Sequence, residues 1–403
     1  MKHPMGDSAD DQSGFVSNSP INGNASPEDT TISENDDWTT WAPVDPEVTA
    51  DKGPADDNDA IEEVAAAEIA EEATGELISG AEALEEVADS VDPAPAAEPV
   101  AQPAPPVAPS RAFDDSTPLA RELSEITRRR QALAAERLPL PPHTRVFTVA
   151  NQKGGVGKTT TTVNLAAALA RSGARVLVID LDPQGNASTA LGVEHRSETP
   201  SVYDVIINDD DMSTVLQKSP EFAALYAIPA TIHLAGAEIE LVSMVAREQR
   251  LRTALDKFLA EAPEPYHYVF IDCPPSLGLL TINAFVAARE VIIPIQCEYY
   301  ALEGLSQLLK NIQLIERHLN PTLTVSTILL TMYDGRTNLA NQVAQDVRDH
   351  FPAQVLNTLI PRSVRISEAP SYGQSVISYD SNSPGSLSYL EAAAEIARRG
   401  APQ

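Results

Sequence analysis

The sequence predicts an α/β fold in which a mostly parallel, twisted sheet is flanked by helices. Three observations lead to this prediction. Short apolar runs alternate with helical patterns from residue 145 to residue 400, a glycine-rich turn joins the first run to a helix, and the first 110 residues differ sharply in composition from the rest. Alternation of strands and helices is typical of parallel sheets that are covered on both faces. We therefore expect one such sheet, preceded by an acidic N-terminal extension.

The extension comprises residues 1–110. It holds 26 aspartates and glutamates but only two lysines, a net charge of −24 out of −30 for the whole chain. It is rich in alanine and proline, and such a segment cannot bury enough apolar surface to offset the entropy of ordering. We predict a disordered acidic tail that ends in a proline-rich linker. The overall acidity of the chain therefore says little about the surface of the remainder.

Residues 111–143 form a second region, a basic helical segment followed by a proline-rich connector. Apolar residues recur at helical spacing after Pro118, and the polar side carries Arg128, Arg129 and Arg130. Prolines between residues 139 and 142 end the helix because proline lacks the amide that a continuing helix needs. Two interpretations remain: a helix packed on the following domain, or a basic helix that contacts DNA or a partner.

Residues 144–403 form the third region, which carries the alternating pattern. Apolar runs predict six strands, at Arg145–Ala150, Arg175–Asp180, His267–Asp272, Glu290–Ile295, Thr324–Leu330 and Gln354–Ile360. Helical periodicity predicts six helices, at Thr159–Ser172, Ile239–Leu259, Leu277–Ala288, Leu302–His318, Leu339–His350 and Leu387–Arg399.

Several classes of protein are excluded by composition. The chain has two cysteines, Cys273 and Cys297, without a C-x-x-C spacing, which excludes a disulfide scaffold and argues against a multi-cysteine metal site. No stretch approaches the roughly 18 apolar residues of a membrane span. The N-terminus lacks the apolar core of a signal peptide. We predict a cytoplasmic protein that does not bind membranes.

The glycine-rich turn predicts a phosphate-binding loop. It lies between a strand and a helix, where glycines let consecutive amides point at phosphate oxygens and the helix N-terminus supplies positive potential. Lys158 is placed to neutralise the β- and γ-phosphates, and the Thr159 hydroxyl is the expected ligand of Mg²⁺. The predicted nucleotide-binding residues of the loop are Lys153, Gly154, Gly155, Val156, Gly157, Lys158, Thr159 and Thr160.

Carboxylates end two other predicted strands. Asp180 and Asp182 end and follow the second strand, and Asp272 ends an apolar strand typical of a Walker B element. Carboxylates at strand C-termini lie where an open α/β sheet binds its ligand. We expect Asp272 to hold Mg²⁺ through water, close to Thr159.

The loop departs from the ordinary P-loop pattern in an informative way. Gln152 stands where the first glycine is expected, and a second lysine, Lys153, follows it. The sequence K-G-G-x-G-K-T resembles the deviant Walker A loop of the ParA/MinD ATPases, a P-loop NTPase family. The resemblance implies that two subunits sandwich two ATP molecules face to face, and that Lys153 acts catalytically by reaching the partner's nucleotide. It also implies that Asp182 positions the attacking water and that Asp180 supports the magnesium side.

Further segments resemble the chromosome- and plasmid-partitioning ParA proteins in particular, over essentially all of residues 145–400. These segments are LAGAEIELV (234–242), PPSLGLLTINA (274–284), PIQCEYYALEGLSQLL (294–309), LLTMYDGRTNL (329–339) and IPRSVRISEAPSYGQSVISYD (360–380). The resemblance places Pro361 and Ser363 near the adenine, although many relatives have asparagine in place of Ser363. Arg336 and Arg365 match arginines that small ParA proteins use for non-specific DNA contact, and Arg362 is a nearby third residue.

The resemblance implies an ATP-dependent DNA-partition ATPase. ATP and Mg²⁺ would build a homodimer, the dimer would bind double-stranded DNA non-specifically on the nucleoid, and a ParB-like centromere-binding protein would stimulate hydrolysis. One alternative is a MinD-like membrane-cycling ATPase, but the final predicted helix has a mostly alanine apolar face, which gives little burial in a bilayer. Another is a P-loop metabolic enzyme such as an amidotransferase-linked ligase, which would need a further catalytic domain.

Overall fold

The computed structural model describes residues 118–401, without the side chains of Pro118, Leu119 and Glu122. The predictions for residues 1–110 lie outside the described residues. The boundaries proposed for the three regions stay predictions.

The described chain contains a seven-stranded sheet. Its strands are β1 (Arg145–Val149), β2 (Val176–Asp180), β3 (Gln217–Lys218), β4 (Leu225–Ile228), β5 (Tyr268–Asp272), β6 (Glu290–Gln296) and β7 (Thr324–Thr331). Their order across the sheet is β3-β4-β2-β5-β1-β6-β7. Every pair is parallel except β3 with β4. The predicted mostly parallel sheet is confirmed.

Helices precede the sheet and cover it. They are α1 (Pro118–Ala135), α2 (Lys158–Arg171), α3 (Asn186–Ala190), α4 (Val202–Ile207), α5 (Met212–Val215), α6 (Leu234–Val242), α7 (Arg250–Glu261), α8 (Leu279–Ala287), α9 (Ala301–His318), α10 (Asn338–His350), α11 (Val364–Glu368), α12 (Val376–Tyr379) and α13 (Pro384–Arg399), with a 3₁₀ turn at Ala369–Tyr372. None of the helices between residues 118 and 401 is both long and apolar enough to cross a membrane.

Two hydrophobic cores lie on opposite faces of the sheet. In β1, Val146 belongs to one core, and Phe147 and Val149 to the other. Successive side chains of a strand point to opposite faces, so a strand buried on both sides is apolar throughout. Helices α2 and α13 pack on one face, and α7, α8, α9 and α10 on the other. This arrangement brings the carboxyl ends of β1, β2 and β5 together at one edge of the sheet.

Helix α1 packs on the domain through its arginines. Arg129 forms a bidentate ion pair with Glu391 of α13, and Arg130 donates to Asn382. These contacts favour the interpretation of this segment as a helix packed on the following domain.

The strand predicted at Gln354–Ile360 is wrong. Only isolated bridge pairing occurs there, between Ile328 and Val355, followed by a bridge at Pro361. The reason is that the Thr358 amide, which would continue the ladder with β7, donates instead to the Glu395 carboxylate at 3.2 Å.

The single helix predicted at Ile239–Leu259 is also wrong, because a non-helical segment separates α6 from α7. Ala246 in this segment has a φ of 52°, a left-handed conformation that a helix cannot contain. Strands β3 and β4 were not predicted, since both are short and neither alternates clearly in hydrophobicity.

Candidate functional site

The glycine-rich turn between β1 and α2 has a backbone conformation that leaves its amides available to a ligand. Gly155 and Gly157 have φ values of 73° and 90°, which favour glycine. Helix α2 begins at Lys158 without a side-chain cap, so the amides of its first turn are available to a ligand. A methyl group added at Gly154 or Gly155 would meet nothing within 4 Å, so the turn borders open space. The turn and the helix start therefore form a cradle for an anion.

Lys158 is a buried cation within this cradle. Its Nζ donates to the Lys153 carbonyl at 3.3 Å, a long hydrogen bond. Burial lowers the pKa of Lys158, and the charge of Asp272 opposes this effect. A buried ammonium with so weak a partner fits a phosphate group that would complete its hydrogen bonds.

Asp272, at the carboxyl end of β5, is tied directly to the first turn of α2. The Thr159 Oγ1 donates to its Oδ2 at 2.7 Å, and the Thr162 Oγ1 donates to its Oδ1 at 3.0 Å. The structure therefore brings together Thr159 and Asp272, as predicted. Thr162 was missed, and its place one turn after Lys158 is the signal that could have identified it.

Asp180 lies beside Asp272, since β2 and β5 pair these two residues in register. Both are fully buried, and burial raises the pKa of each. The charge of Asp180 raises the pKa of Asp272 further. The Ser188 amide and hydroxyl donate to Asp180 at 2.8 and 2.7 Å, which favours its ionised form; sequence reasoning did not find Ser188.

Two adjacent buried carboxylates with a threonine hydroxyl form an oxygen-rich environment that suits Mg²⁺. A divalent cation would relieve the repulsion between Asp180 and Asp272. Between residues 118 and 401, no group of three or more His, Cys, Asp or Glu side chains gathers into a metal cluster. The fit therefore depends on Thr159 and on ligands from outside the protein, as expected for a metal that binds together with a nucleotide.

Asp182 faces the same space from the β2 side. It is buried and lines a cleft of about 970 Å³ together with Gly154, Lys158 and Thr159. Its amide donates to Asp180 Oδ1 at 3.1 Å, and its Oδ1 accepts from the Gln184 amide at 3.0 Å. These bonds fix the carboxylate at the wall of the cleft.

A second cleft, of about 340 Å³, adjoins the first and shares Gly157 and Thr160 with it. Pro361 and Ser363, the two residues predicted near the base, line this second cleft and so lie next to the phosphate cradle. Arg362, predicted as a DNA contact, also lines it. Met332 lines both clefts and has a φ of 50°, an uncommon conformation for its residue type. Strain of this kind often occurs at ligand sites, but no sequence pattern indicated it here.

Lys153 lies on the surface beside the cleft. Its Nζ forms an ion pair with Glu298 at 2.5 Å, and the two side chains are 51% and 47% exposed. Its backbone amide donates to Asn151 Oδ1 at 3.0 Å. Glu298 was not predicted, because it is 145 residues away in sequence and no local spacing links it to the loop.

The two principal arginines predicted to bind DNA are exposed but paired within the chain. Arg336 makes a bidentate contact with Asp334 at 2.8 and 2.6 Å, which lowers the pKa of Asp334 to about 2. Arg365 pairs with Glu368 at 3.0 Å and with Asp380 at 3.5 Å. The structure therefore places both arginines at the surface, each beside carboxylates of its own chain.

Cys273 and Cys297 are both buried free thiols. Burial raises the pKa of the Cys273 thiol to about 12 and that of Cys297 to about 11. Such thiols are unreactive at neutral pH. The interpretation of Cys273 as a small residue at the end of a strand agrees with this environment.

Comparison with known proteins places this site in a family. A family model described as an AAA domain matches residues 144–325. The chain is 52% identical over 256 residues to the sporulation initiation inhibitor protein Soj of Bacillus subtilis, covering 64% of this chain and 99% of that protein. It is 50% identical over 259 residues to the chromosome partitioning protein ParA of Myxococcus xanthus, covering 64% of this chain and 90% of that protein.

A solved structure is also similar. It is described as cobyrinic acid a,c-diamide synthase from Mycobacterium smegmatis with a bound ATP analogue and magnesium. It is 40% identical, with a TM-score of 0.53, and the match covers 62% of this chain and 93% of that one. The Soj and ParA relatives are matched over 99% and 90% of their length and at higher identity. The chain therefore belongs to the Soj-like ParA partitioning ATPases of the ParA/MinD family.

Proposed function

We propose that this protein is an ATP-dependent DNA-partition ATPase whose ATP-bound form is a sandwich homodimer. One observation carries the proposal: a single cleft gathers the glycine turn, Lys158 and Asp182, while Lys153 stands half-exposed beside it on a surface ion pair. A lysine inside the cleft would serve its own nucleotide. A lysine on the surface is available to a nucleotide held by a second copy.

ATP and Mg²⁺ are the cofactors in this proposal. The loop amides and Lys158 bind the phosphates, and Thr159, Asp180 and Asp272 would hold Mg²⁺. Bound Mg²⁺ supplies positive charge that offsets the charge of the phosphate oxygens. Asp182, fixed at the cleft wall, orients the attacking water by accepting a hydrogen bond from it. Pro361 and Ser363 hold the base in the adjoining cleft.

Lys153 adds its charge from the partner subunit in this mechanism. To do so it leaves Glu298, and the cost is small because an exposed ion pair contributes only about 0–1 kcal/mol. Hydrolysis thus depends on dimerisation, since each cleft lacks this cation until a second subunit arrives. Positioned charges of this kind are the main source of rate enhancement in phosphoryl transfer.

DNA binding follows from dimerisation in this proposal. Arg336, Arg365 and Arg362 contact phosphates of double-stranded DNA, so binding is non-specific in sequence. A ParB-like centromere-binding protein stimulates hydrolysis and releases the dimer. The protein then cycles between the cytoplasm and the nucleoid.

The test is ATP turnover by the full chain, measured alone, with duplex DNA, and with duplex DNA plus the cognate partition protein. We expect turnover to rise with each addition. Co-sedimentation with ATP should recover the protein with DNA and not with liposomes. An ATP turnover rate that changes with neither DNA nor the partner protein, or sedimentation with liposomes alone, would refute the proposal.

The MinD-like alternative is disfavoured by the environment of α13. Its apolar residues, including Tyr389, Ala392 and Ile396, are buried against the sheet and α2. A helix that already buries its apolar face has little to offer a bilayer. The diamide-synthase description of one similar structure suggests a second alternative, which ATP-dependent amidation of a corrinoid acid by this chain would support.

A further inference from the structure

Helix α6 is apolar on two sides, and one of them has no neighbour within the described chain. The inner side buries Leu234, Ala237 and Leu241. The other side repeats apolar residues at spacings of three, four and three, and we call it the outer stripe: Ile232, Ala235, Ile239 and Val242. Ile232, Ile239 and Val242 are 65%, 79% and 61% exposed. Val245 continues this surface past the end of the helix, at 89% exposed.

A surface of this kind normally has an occupant. Helices that are apolar all round are buried, and contiguous exposed apolar patches mark interaction sites. The polar residues of α6 do not interrupt the outer stripe. Glu238 reaches the N-terminus of α8, where the Leu280 amide donates to its Oε1 at 3.4 Å, and Glu240 accepts from the Tyr203 hydroxyl at 3.0 Å. The two carboxylates are therefore engaged within the chain.

The outer stripe adjoins the nucleotide cleft. Ala235, one of its members, lines the same cleft as Gly154, Asp182 and Pro275. A second subunit that closes this cleft would therefore lie close to the outer stripe. The contact between Glu238 and the start of α8 also ties this helix to the segment that follows Asp272.

We propose that the outer stripe is the apolar centre of the interface between two copies of this chain in the ATP-bound dimer. The inference rests on the proposed function, which requires a second copy at the cleft. A two-fold interface places the same surface of both subunits in contact, and an uncharged apolar stripe is complementary to its own copy. DNA is a poor occupant because the stripe carries no cation.

The first experiment uses sedimentation velocity of the full chain with Mg²⁺ and a slowly hydrolysed ATP analogue. The unaltered chain dimerises. Ile239→Glu and Val242→Glu each raise the Kd of the dimer by roughly 100-fold or more, because the new charge is buried in both halves of the interface. Leu314→Glu is the matched control, since Leu314 is an exposed leucine (56%) on α9 outside the stripe. It leaves dimerisation unchanged, and all three variants bind a fluorescent ATP analogue normally.

A second variant keeps the inference testable should a glutamate disturb folding. Ile239→Cys adds an accessible thiol, since Cys273 and Cys297 are only 0% and 8% exposed. A short bis-maleimide joins two Ile239→Cys chains when ATP is present and not when it is absent. Leu314→Cys chains stay unlinked in both conditions.

The outcomes separate the two proposals. If the unaltered chain dimerises with ATP, and the glutamate variants dimerise equally well without any Ile239→Cys cross-link, the stripe inference is overturned while the proposed function stands. If the unaltered chain stays monomeric with ATP at every concentration tested, the proposed function fails and the inference with it. Variants that dimerise normally but lose binding to liposomes or to the partition protein would assign the stripe to that occupant and overturn the inference.

Discussion

Replacing Lys153 with alanine distinguishes the role of this lysine from that of Lys158, the other lysine of the loop. The ion pair with Glu298 is about half exposed, so losing it should lower the free energy of unfolding by no more than about 1 kcal/mol. Monomer affinity for ATP should change by less than about fivefold, because Lys158 and the loop amides remain in the cleft. The dimer should lose two charge-assisted contacts to phosphate, each contributing about 1.5–3 kcal/mol. The Kd of the dimer should therefore rise roughly 150- to 25,000-fold.

The assay combines three measurements on the full chain: chemical denaturation, fluorescent-ATP titration and sedimentation with a slowly hydrolysed analogue. Glu298→Gln is the matched control, since it removes the ion pair and leaves Lys153 in place. This control should dimerise as well as the unaltered chain, or up to about fivefold more tightly, because the lysine no longer has to leave a carboxylate. A Lys153→Ala variant that dimerises and hydrolyses ATP at the original rate would refute the cross-subunit role.

Four other outcomes follow from the site and its surroundings. Lys158→Ala should weaken ATP binding by about 100-fold, because a buried phosphate contact is lost; an unchanged titration would remove the P-loop assignment. Asp182→Ala should still bind ATP and DNA but hydrolyse ATP about 100-fold more slowly. Single-turnover rates equal to those of the unaltered chain would exclude a role for Asp182 in orienting the attacking water. Arg336→Glu and Arg365→Glu should each weaken DNA binding without affecting dimerisation. Each lost phosphate contact should reduce the slope of log affinity against log salt by about 0.9. DNA affinity that survives both charge reversals together, or a loss limited to one DNA sequence, would contradict this. Deleting residues 1–110 should raise DNA affinity most at low salt, where their net charge of −24 competes best with the DNA phosphates. Equal DNA affinities of the truncated and full chains across a salt series would argue against autoinhibition by this acidic segment.

The sheet was predictable because its central strands are buried on both faces. Strands such as β5, with five buried residues, are continuous apolar runs that end in a carboxylate, and this pattern is strong in sequence. The failures lie where tertiary contacts override local preference. Glu395 on α13 accepts a hydrogen bond from the Thr358 amide and prevents a strand, and the left-handed Ala246 divides one predicted helix in two.

The residues of the candidate site likewise fall into those that could be predicted from the sequence and those that could not. Lys158, Asp182 and Asp272 were identified because each lies at a fixed spacing from a glycine turn or at a strand end, where the topology determines its position. Ser188 and Glu298 were missed because their roles depend on contacts through space. Ser188 binds Asp180 from eight residues away, and Glu298 binds Lys153 from 145 residues away. No periodicity connects such pairs.

The pairing of the surface cations has a consequence for the proposed cycle. Lys153, Arg336 and Arg365 are each given a role toward phosphate, and each contacts a carboxylate of its own chain. An isolated free cation would attract any polyanion, whereas a paired one has to exchange its partner. Because exposed pairs contribute little, ATP or DNA can displace the carboxylate at small cost when several phosphates bind together. In the proposed dimer, the number of such exchanges is twice that of a single subunit. The same pairs that neutralise the monomer can therefore make DNA binding depend on dimerisation, and so on ATP.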